Sequence, residues 1–428
     1  MKKENYRPVA ILSPLSKILE KVVYEHIYNY FDKNNLFHSS LHGYRKSRST
    51  MTALLSMYEK WVMAARNGQV SGVVLVSPSL LVQKLKVYGF EEDITAWILS
   101  YLTDRFQTVW IDHVYSDFIE NSIGVPQGSN LGPLFFLIFF NDLPTFINED
   151  IDCYADDSTL GATAKQVAEI GAKLSNDCDR LSDWMQSNKF KLNAGKTHFM
   201  VMGTAERLQK VEELTVVMDG VVLEESVEKS ELLLGVIMQC DLKWSLQIEA
   251  LVKKLKKRLA GLDKLRYVMN RSNKRNIVQG IFNSVLCYCL PLFGGCNKAE
   301  LNVLQVQQNR AARIVLGFPP RTNRNLMFDK IAWLTVNQLI AYHTLITVYR
   351  VRKTKEPEDL ALMLSRDNHN GHIILKNTQL GLYRNSFVFR GSLLWNKLPP
   401  ILRKETKLIK FKKSLRNWVL KNIQRSDG

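Results

Sequence analysis

The stretch "CYADDSTL" at residues 153–160 places two adjacent carboxylates, Asp156 and Asp157, inside an otherwise apolar segment. Neighbouring acids repel each other, so keeping both ionised in a partly buried place is unfavourable. A divalent cation is the usual remedy, because hard cations prefer carboxylate oxygens as ligands. Residues 151–164 read as extended on both sides of the acids, which predicts a β-hairpin with the carboxylates near its turn. A metal at this turn needs a third carboxylate from another strand.

The sequence on either side of this hairpin alternates between helical and strand patterns. The β-branched run "SGVVLV" (71–76) is typical of a buried strand. Apolar spacing predicts helices at 15–31, 78–90, 94–106, 131–147 and 165–189, and residues 106–125 read as a hairpin of two strands. This mixed order favours an α+β fold with an antiparallel sheet that ends near residue 240.

Composition limits the classes of protein that the chain can belong to. Its 428 residues are enough for two or three domains, and its net charge is +17, with 58 Lys+Arg against 41 Asp+Glu. This excess favours a polyanionic partner, although a membrane surface or simple solubility would also fit. The six cysteines are scattered and form no C-x-x-C pair, which argues against a zinc site and fits a reducing compartment.

No segment of the sequence has the pattern of a membrane anchor or a secretion signal. The longest apolar run, residues 131–140, is about half the length of a spanning helix, and residues 1–15 lack the apolar core of a signal peptide. We therefore expect a protein that is neither secreted nor bound to a membrane. Nucleus and cytoplasm both remain open.

A basic amphipathic helix is predicted at residues 248–268. Five leucines share one face, and basic residues crowd the rest. The leucines are Leu251, Leu255, Leu259, Leu262 and Leu265, and the basic residues are Lys253, Lys254, Lys256, Lys257 and Arg258. Such a face is either simply solvated or lies along a nucleic-acid backbone. From about residue 320 the chain reads as a further helical, basic region.

Two glycine-containing stretches flank the acidic hairpin. In "GVPQGSNLGP" (124–133) the glycines allow a ligand to approach the backbone, and Gln127 can hydrogen-bond a base or sugar, although an ordinary turn would have the same pattern. In "LNAGKTHFMVMG" (192–203) Lys196 can reach a phosphate or donate a proton, although an isolated lysine is more often a surface residue.

Taken together and in this order, these stretches resemble the reverse transcriptases of non-LTR retrotransposons of the jockey or CR1 type. The resemblance begins at "NYRPVAILSPLSKILEKV" (5–22), and it covers nearly the whole chain. It continues through "HGYRKSRST" (42–50), "GVPQGSNLGPLFFLIFFNDLP" (124–144), "YADD" (154–157), "LNAGKT" (192–197), "LLGVIMQCDLKW" (233–244), "LQVQQNRAARIVLG" (304–317), "IAWLTVNQLIAYH" (331–343) and "SFVFRGSLLWNKLPPILR" (386–403).

The resemblance implies a right-hand polymerase whose palm is an antiparallel sheet with packed helices. It implies fingers and palm at 1–240, a thumb-like basic helical region at 241–320 and a mainly helical C-terminal region at 321–428. The implied activity is RNA-directed DNA synthesis by nucleotidyl transfer with two Mg²⁺ ions. The implied partners are an RNA template, a DNA primer or RNA–DNA hybrid, and deoxynucleoside triphosphates. The oligomeric state stays open.

The resemblance also assigns roles to residues of this chain. Asp156 would be the principal metal ligand and Asp157 the weaker one. Tyr154 would pack beside the primer end. The other implied positions are Gln127 and Gly128 in the nucleotide pocket, Lys196 as general acid, Arg7 and more weakly Arg45 at the triphosphate, and Lys253, Lys254, Lys256, Lys257 and Arg258 on the nucleic acid.

One part of the family pattern is missing. In the family, the strand that corresponds to 71–76 ends in a motif of the form D-L-S-x-A-F-D-x-x-D-H, whose first Asp bridges both metals. Here Val76 is followed by only Ser77 and Pro78 before the predicted helix, so about ten residues and the Asp are absent. The next acids, at 91–93, lie beyond that helix, which at ~1.5 Å per residue places them far from the strand end. We therefore expect an incomplete metal site and impaired catalysis.

Three interpretations remain. In the first, the gap is an error in the gene structure and the true product is an active polymerase. In the second, the chain is a folded, inactive nucleic-acid-binding module. In the third, it is a transposon remnant that does not fold stably. In the family an endonuclease domain precedes the first fingers motif, and nothing before that motif resembles one here. We therefore expect a shortened copy.

Overall fold

The computed structural model describes residues 10–76, 92–120, 128–188, 197–211, 214–226, 228–264, 268–365, 367–368, 371–375 and 380–424. Its helices are α1 (Pro14–Lys33), α2 (Thr50–Arg66), α3 (Glu92–Leu102), α4 (Leu131–Phe139), α5 (Leu143–Phe146), α6 (Val167–Ser187), α7 (Ala205–Leu208), α8 (Ser245–Asp263), α9 (Arg271–Val278), α10 (Ser284–Leu286), α11 (Leu290–Phe293), α12 (Lys298–Leu316), α13 (Arg324–Ile331), α14 (Val336–Thr354), α15 (Glu358–Leu364), α16 (Gly381–Arg384), α17 (Phe387–Asn396), α18 (Pro400–Arg403) and α19 (Leu408–Asn422), with a 3₁₀ turn at Phe140–Asp142 and a π-turn at Gln279–Asn283. Its strands are β1 (Val70–Val76), β2 (Phe106–Gln107), β3 (Trp110–Ile111), β4 (Val114–Tyr115), β5 (Ile119–Glu120), β6 (Asp150–Tyr154), β7 (Asp157–Ala164), β8 (His198–Met202), β9 (Val217–Met218), β10 (Val221–Val222), β11 (Glu224–Glu225), β12 (Ser230–Leu233) and β13 (Val236–Gln239).

The central sheet has five strands in the order β11-β8-β1-β7-β6. Strand β1 is in the middle and runs antiparallel to both β7 and β8, and only β11 is parallel to its neighbour. The strands predicted at 71–76 and on both sides of the acids are confirmed. This antiparallel sheet with helices packed on it is the expected α+β arrangement of a polymerase palm.

Each face of the sheet packs against its own hydrophobic core, because side chains alternate along a strand. In β8, Phe199 and Val201 belong to the core that includes α1, α4 and α6. Met200 and Met202 point to the other core, which includes α2, α8 and the C-terminal helices. The sheet is therefore covered on both faces.

Helix α2 lies at the centre of the core that it shares with α8 and the C-terminal helices. It begins with a capping box in which Ser49 and Thr52 satisfy each other's backbone N–H groups. It contacts β1 and β6 on one side and α11, α15, α16 and α17 on the other. A helix that is buried nearly all round belongs to the interior of a protein.

The C-terminal region folds back onto α2. Ser56 donates to a carboxylate oxygen of Asp359, and the Arg66 guanidinium lies 4.8 Å from the centre of the Tyr383 ring. Helix α14 lies at the centre of this region and packs against α15, α17 and α19. Its Tyr349 ring stacks on the Phe411 ring of α19, with 4.2 Å between the ring centres. One hydrophobic core thus crosses residues 240 and 320, and the domain boundaries at those positions stay a prediction.

Two expected elements differ in detail. The hairpin predicted at 106–125 contains two short ladders, β2–β5 and β3–β4, instead of two continuous strands. Between them the Val109 N–H donates to the Ser116 hydroxyl, which takes the place of a ladder hydrogen bond. The helix predicted at 131–147 is broken after Phe139, and α5 restarts with Pro144 in its first turn, where a missing N–H is tolerated. The helix predicted at 78–90 lies outside the described residues.

Within the described ranges, no single helix is both long and apolar enough to cross a bilayer. The bent pair α13 and α14 together passes on length and composition. Much of α14 is buried, and it packs against α17 and α19.

The buried carboxyl group of Glu59 predicts a pH dependence of folding. Its Oε1 accepts from the Val388 N–H at 2.9 Å, and burial raises the pKa of Glu59 to about 7 although Arg390 opposes this rise. The folded state therefore holds this proton more tightly than the unfolded state, whose pKa is near the ordinary 4.5. This stabilisation is complete below the unfolded pKa and is lost as the pH rises through about 7.

We expect the free energy of unfolding of the wild type to fall from pH 5 to pH 8 by up to about 3 kcal/mol more than that of Glu59→Gln. Urea titrations at several pH values measure the difference, and the exposed Glu206 supplies a control, Glu206→Gln. Parallel pH profiles for the wild type and Glu59→Gln would contradict the prediction.

Candidate active site at the turn between β6 and β7

The two adjacent acids lie at the tip of the hairpin formed by β6 and β7. Tyr154 pairs with Asp157, so Ala155 and Asp156 form a two-residue turn. Ala155 has a φ of 55°, a conformation that residues other than glycine adopt rarely. The expected position of both carboxylates near the turn is confirmed.

The two carboxylates are close enough to influence each other. Partial burial and the neighbouring charge of Asp156 raise the pKa of Asp157. Both side chains still keep substantial exposure to solvent at the tip of the hairpin. A pair of acids in this arrangement is stabilised by a cation, and its oxygens suit Mg²⁺.

The end of β1 lies beside this turn. In the antiparallel register Val76 pairs with Ser158, directly after Asp157. The family pattern places its first Asp immediately after this strand, so that residue would be a neighbour of Asp157. In this chain Ser77 and Pro78 follow instead, and their positions are outside the described residues. Among the residues that are described, no group of three or more His, Cys, Asp or Glu side chains could hold a metal. The donor set therefore fits a divalent ion only in part.

The loop 40–44 supports the turn from the open edge of the sheet. The His42 N–H donates to the Cys153 carbonyl at 2.8 Å, and the Cys153 N–H donates to the Ser40 carbonyl at 2.9 Å. Gly43 lies so close to the turn that a Cβ there would be 2.4 Å from the Ala155 nitrogen. Tyr44 follows, and burial together with the nearby Asp156 charge raises its pKa. The stretch "HGYRKSRST" thus contacts the candidate site through its backbone.

A buried polar cluster lies one strand position behind the turn. Asp152 is 6% exposed and accepts from Lys60 Nζ at 2.9 Å. Its Oδ1 is 3.0 Å from His42 Nε2, while Arg48 Nη1 donates to His42 Nδ1 at 3.3 Å, which places the imidazole proton on Nε2. Burial alone would raise the pKa of Asp152, but His42 and Lys60 together hold it below its usual value.

Sequence reasoning missed this cluster. The only local signal is an acid, Asp152, on the buried part of a strand that ends in the turn. Its partners come from positions that are 110 and 92 residues away in the chain. Such contacts are visible only after the sheet has formed.

Arg45 makes contacts within the protein in this structure. Its guanidinium donates to the His38 carbonyl at 2.9 Å and to Glu356 at 3.1 Å. Arg48 donates from Nε to the other oxygen of Glu356 at 2.7 Å. A contact between Arg45 and a triphosphate stays a prediction, and it would require this ion pair to open.

A second hairpin faces the turn. Strands β12 and β13 are joined by Leu234 and Gly235, both with positive φ, as a tight two-residue turn requires. The Tyr288 hydroxyl donates to the Leu234 carbonyl at 2.6 Å and fixes the hairpin tip. Leu233 and Leu234 form a narrow crevice with Tyr154 and Asp157. The sequence showed this hairpin only as part of the resemblance, without a role.

Of the remaining predicted site residues, Gly128 lies in a described part of the chain and the others do not. Gly128 has a φ of 101° and leads into α4, where Asn130 donates to Glu20 of α1 at 2.7 Å. Strand β8 begins at His198, next to β1. Arg7, Gln127 and Lys196 lie outside the described residues.

Helix α8 has the two faces that its sequence predicts. Leu251, Leu255, Leu259 and Leu262 are buried, and the fifth leucine of the predicted face, Leu265, lies outside the described residues. Lys253, Lys254, Lys256 and Lys257 are exposed, and within the described ranges none of these lysines has an ion-pair partner. The Arg258 guanidinium donates to the Ile281 carbonyl at 2.7 Å, which directs it along the protein surface.

Comparison with known families agrees with this geometry. The family described as "Reverse transcriptase (RNA-dependent DNA polymerase)" matches residues 1–251, which is more than half of the chain and includes the whole five-stranded sheet. The chain belongs to the reverse transcriptase family. The hairpin with the adjacent acids is therefore part of a reverse transcriptase palm.

The relatives of this reverse transcriptase confirm the jockey type. It is 24% identical over 366 residues to "Probable RNA-directed DNA polymerase from transposon BS" of Drosophila melanogaster, covering 80% of this chain and 39% of that protein. It is 23% identical over 337 residues to the "RNA-directed DNA polymerase from mobile element jockey" of the same fly, covering 74% and 36%. The chain thus spans about two fifths of the length of the curated relatives it matches.

A solved structure is also similar. It is "Structure of telomerase from Candida albicans in complexe with TWJ fragment of telomeric RNA", with 12% identity and a TM-score of 0.38 over 96% of this chain and 59% of that one.

Proposed function

We propose that this chain is the polymerase body of a non-LTR retrotransposon reverse transcriptase that holds an RNA template with a DNA primer. We further propose that its catalytic step is impaired in the present sequence. The observation that supports this proposal is the turn with Asp156 and Asp157 beside the end of β1, where the family's first Asp is replaced by Ser77 and Pro78.

In this proposal each residue of the site has a separate role. Asp156 and Asp157 would hold the Mg²⁺ ions, which in this chemistry activate the primer hydroxyl and neutralise the leaving pyrophosphate. Tyr154 would pack against the primer end, next to the β12–β13 hairpin. Gln127 and Gly128 would line the nucleotide pocket, Lys196 would protonate the pyrophosphate, and Arg7 with Arg45 would contact the triphosphate.

The proposed impairment of catalysis follows from the number of carboxylates that remain to hold the metal ions. Two carboxylates offset less of the charge of two divalent ions than three can, and a serine hydroxyl carries no charge, so the ions that would neutralise the triphosphate are held less well. Positioning and charge neutralisation supply most of the catalysis in phosphoryl transfer. Substrate holding depends on other parts of the protein, so it is expected to survive.

The alternative function, an inactive nucleic-acid-binding protein, rests on α8. Its four lysines form an exposed row without ion-pair partners in the described structure. The buried leucines on the opposite side fix this row against α12. A rigid basic row of this kind suits the backbone of an RNA–DNA hybrid.

We expect the wild type to bind an RNA–DNA hybrid with a steep salt dependence, and Lys253→Gln with Lys257→Gln to lower the slope of log K against log salt by about 1.8, since each lost phosphate contact removes ~0.9. Fluorescence anisotropy at several salt concentrations measures the slopes. The matched control is Lys165→Gln with Lys210→Gln, which removes the same charge from exposed lysines elsewhere. Absence of binding at low salt would remove the proposal that this chain holds a template and primer.

A further inference from the structure

The net positive charge of the chain comes entirely from its second part. Residues 1–240 contain 23 Lys+Arg and 30 Asp+Glu, whereas residues 241–428 contain 35 and 11. Helix α8 accounts for only some of this excess. The C-terminal region therefore presents a large amount of basic charge whose role the polymerase site does not explain.

Part of this charge gathers at the end of α13. Arg271 donates to the Lys330 carbonyl at 2.9 Å, and Arg416 of α19 donates to the Ala332 carbonyl. Arginines at the C-terminal end of a helix are stabilised by its dipole. The two guanidinium groups thus donate to carbonyls two residues apart and connect α9 to α19.

The charge continues along the seam between α14 and α19. Burial and the nearby charges of Lys412 and Arg350 hold the pKa of His343 below its usual value. One turn beyond Arg350 along α14, Lys353 donates to the Thr406 carbonyl. We call this continuous set the basic ribbon; its members are Arg271, Lys330, Arg350, Lys353, Lys412 and Arg416.

Three acids of the C-terminal region are engaged elsewhere. Glu356 binds Arg45 and Arg48, Asp359 accepts from Ser56, and Asp367 pairs with Arg352 at 2.7 Å. Within the part of the chain that is described, no member of the basic ribbon has an ion-pair partner. Like charges packed along one seam without counter-charges repel each other, and a polyanion relieves this repulsion.

Aromatic rings lie beside the ribbon. The rings of Tyr342 and His343 meet edge to face at 5.5 Å, and both residues are partly exposed. Arg416 is close enough to Tyr342 to oppose the rise in its pKa that burial causes. Basic side chains interleaved with partly exposed rings are typical of surfaces that bind unpaired nucleic acid, because bases stack on the rings.

We propose that the basic ribbon binds single-stranded RNA through its phosphate backbone, with Tyr342 and His343 available for base stacking. The inference rests on the proposed function, in which α8 holds the hybrid and the unpaired part of the RNA needs a separate surface. The ribbon would anchor RNA that has not yet entered the polymerase site.

The test compares three double variants of the full chain on two probes, a single-stranded RNA oligonucleotide and an RNA–DNA hybrid. Arg350→Gln with Lys412→Gln removes ribbon charges, Lys253→Gln with Lys257→Gln removes thumb charges, and Lys165→Gln with Lys210→Gln is the control. We expect the ribbon variant to lower the salt slope on single-stranded RNA by about 1.4, at ~0.7 for each contact. On the hybrid its slope should equal that of the control.

The other outcomes are equally informative. If the ribbon variant has the control's slope on single-stranded RNA, the ribbon inference is wrong while the thumb variant still tests the proposed function. Vesicles that contain phosphatidylserine serve as a third probe; if the ribbon variant loses binding only to these, the surface binds membranes and the inference is also wrong. If the wild type binds neither probe, both proposals fail. Should the ribbon variant melt early, Lys330→Gln with Lys353→Gln, at two exposed positions, replaces it.

Discussion

We expect this chain to give no primer extension above background with Mg²⁺, and an in-frame segment that begins with Asp after Val76 to restore it. The register places that Asp next to Asp157, where a third carboxylate completes the ligand set. Loss of one charge-stabilising group in an active site costs at least ~10²-fold in rate, and a ligand that bridges two ions is worth more. Extension of a DNA primer on an RNA template measures the effect.

Two controls make this result specific. The same segment with Asn in place of Asp restores the length of the connection without the charge and should stay inactive. Asp156→Asn in the restored protein should abolish its activity. Sequencing genomic DNA and transcripts across the codons for Val76 to Leu80 shows whether the gap is real. Robust Mg²⁺-dependent extension by the unmodified chain would overturn the proposed impairment.

The second large effect is expected on stability. Asp152→Ala should lower the free energy of unfolding by about 3–5 kcal/mol, because it leaves the Lys60 ammonium and the His42 imidazole without their buried partner. Both contacts are short, at 2.9 and 3.0 Å, and Asp152 is only 6% exposed, so water compensates little for their loss. Urea denaturation followed by circular dichroism measures the change.

Asp150→Ala is the matched control for this variant. Asp150 lies two residues away on the same strand, its side chain is 61% exposed, and it is 3.9 Å from Lys60. We expect a change of about 0–1 kcal/mol. The double variant Asp152→Ala with Lys60→Ala should be less unstable than the sum of the single changes. Equal effects of Asp150→Ala and Asp152→Ala would show that the buried cluster does not stabilise the turn.

The sequence predicted those parts of the site that lie close together in the chain. The acids at residues 156 and 157 define their own hairpin because extended residues flank them on both sides, and "SGVVLV" has the composition of a buried strand. The order of the motifs carried the family resemblance. The resemblance puts the family's first Asp directly after "SGVVLV", and the antiparallel register of β1 with β7 would bring such a residue next to Asp157.

The parts that escaped prediction depend on long-range contacts. Nothing near His42, Lys60 or Asp152 indicates that the three side chains meet, because they come from a loop, a helix and a strand. Arg45 is a further example. The contact with a phosphate that its motif suggests stays a prediction, and the structure adds a partner that the motif does not indicate, Glu356, 311 residues further along the chain. Local patterns cannot reveal such a partner.

The shared core around α2 has a consequence for how the protein can be shortened. Tyr58, Trp61 and Val62 are buried in a core to which α11, α15 and α17 contribute. A fragment that stops near residue 240 would expose these side chains to water as a large hydrophobic patch, and such patches lead to aggregation. A gene copy that loses its 3′ end would therefore encode an insoluble product even if every residue of the palm were intact.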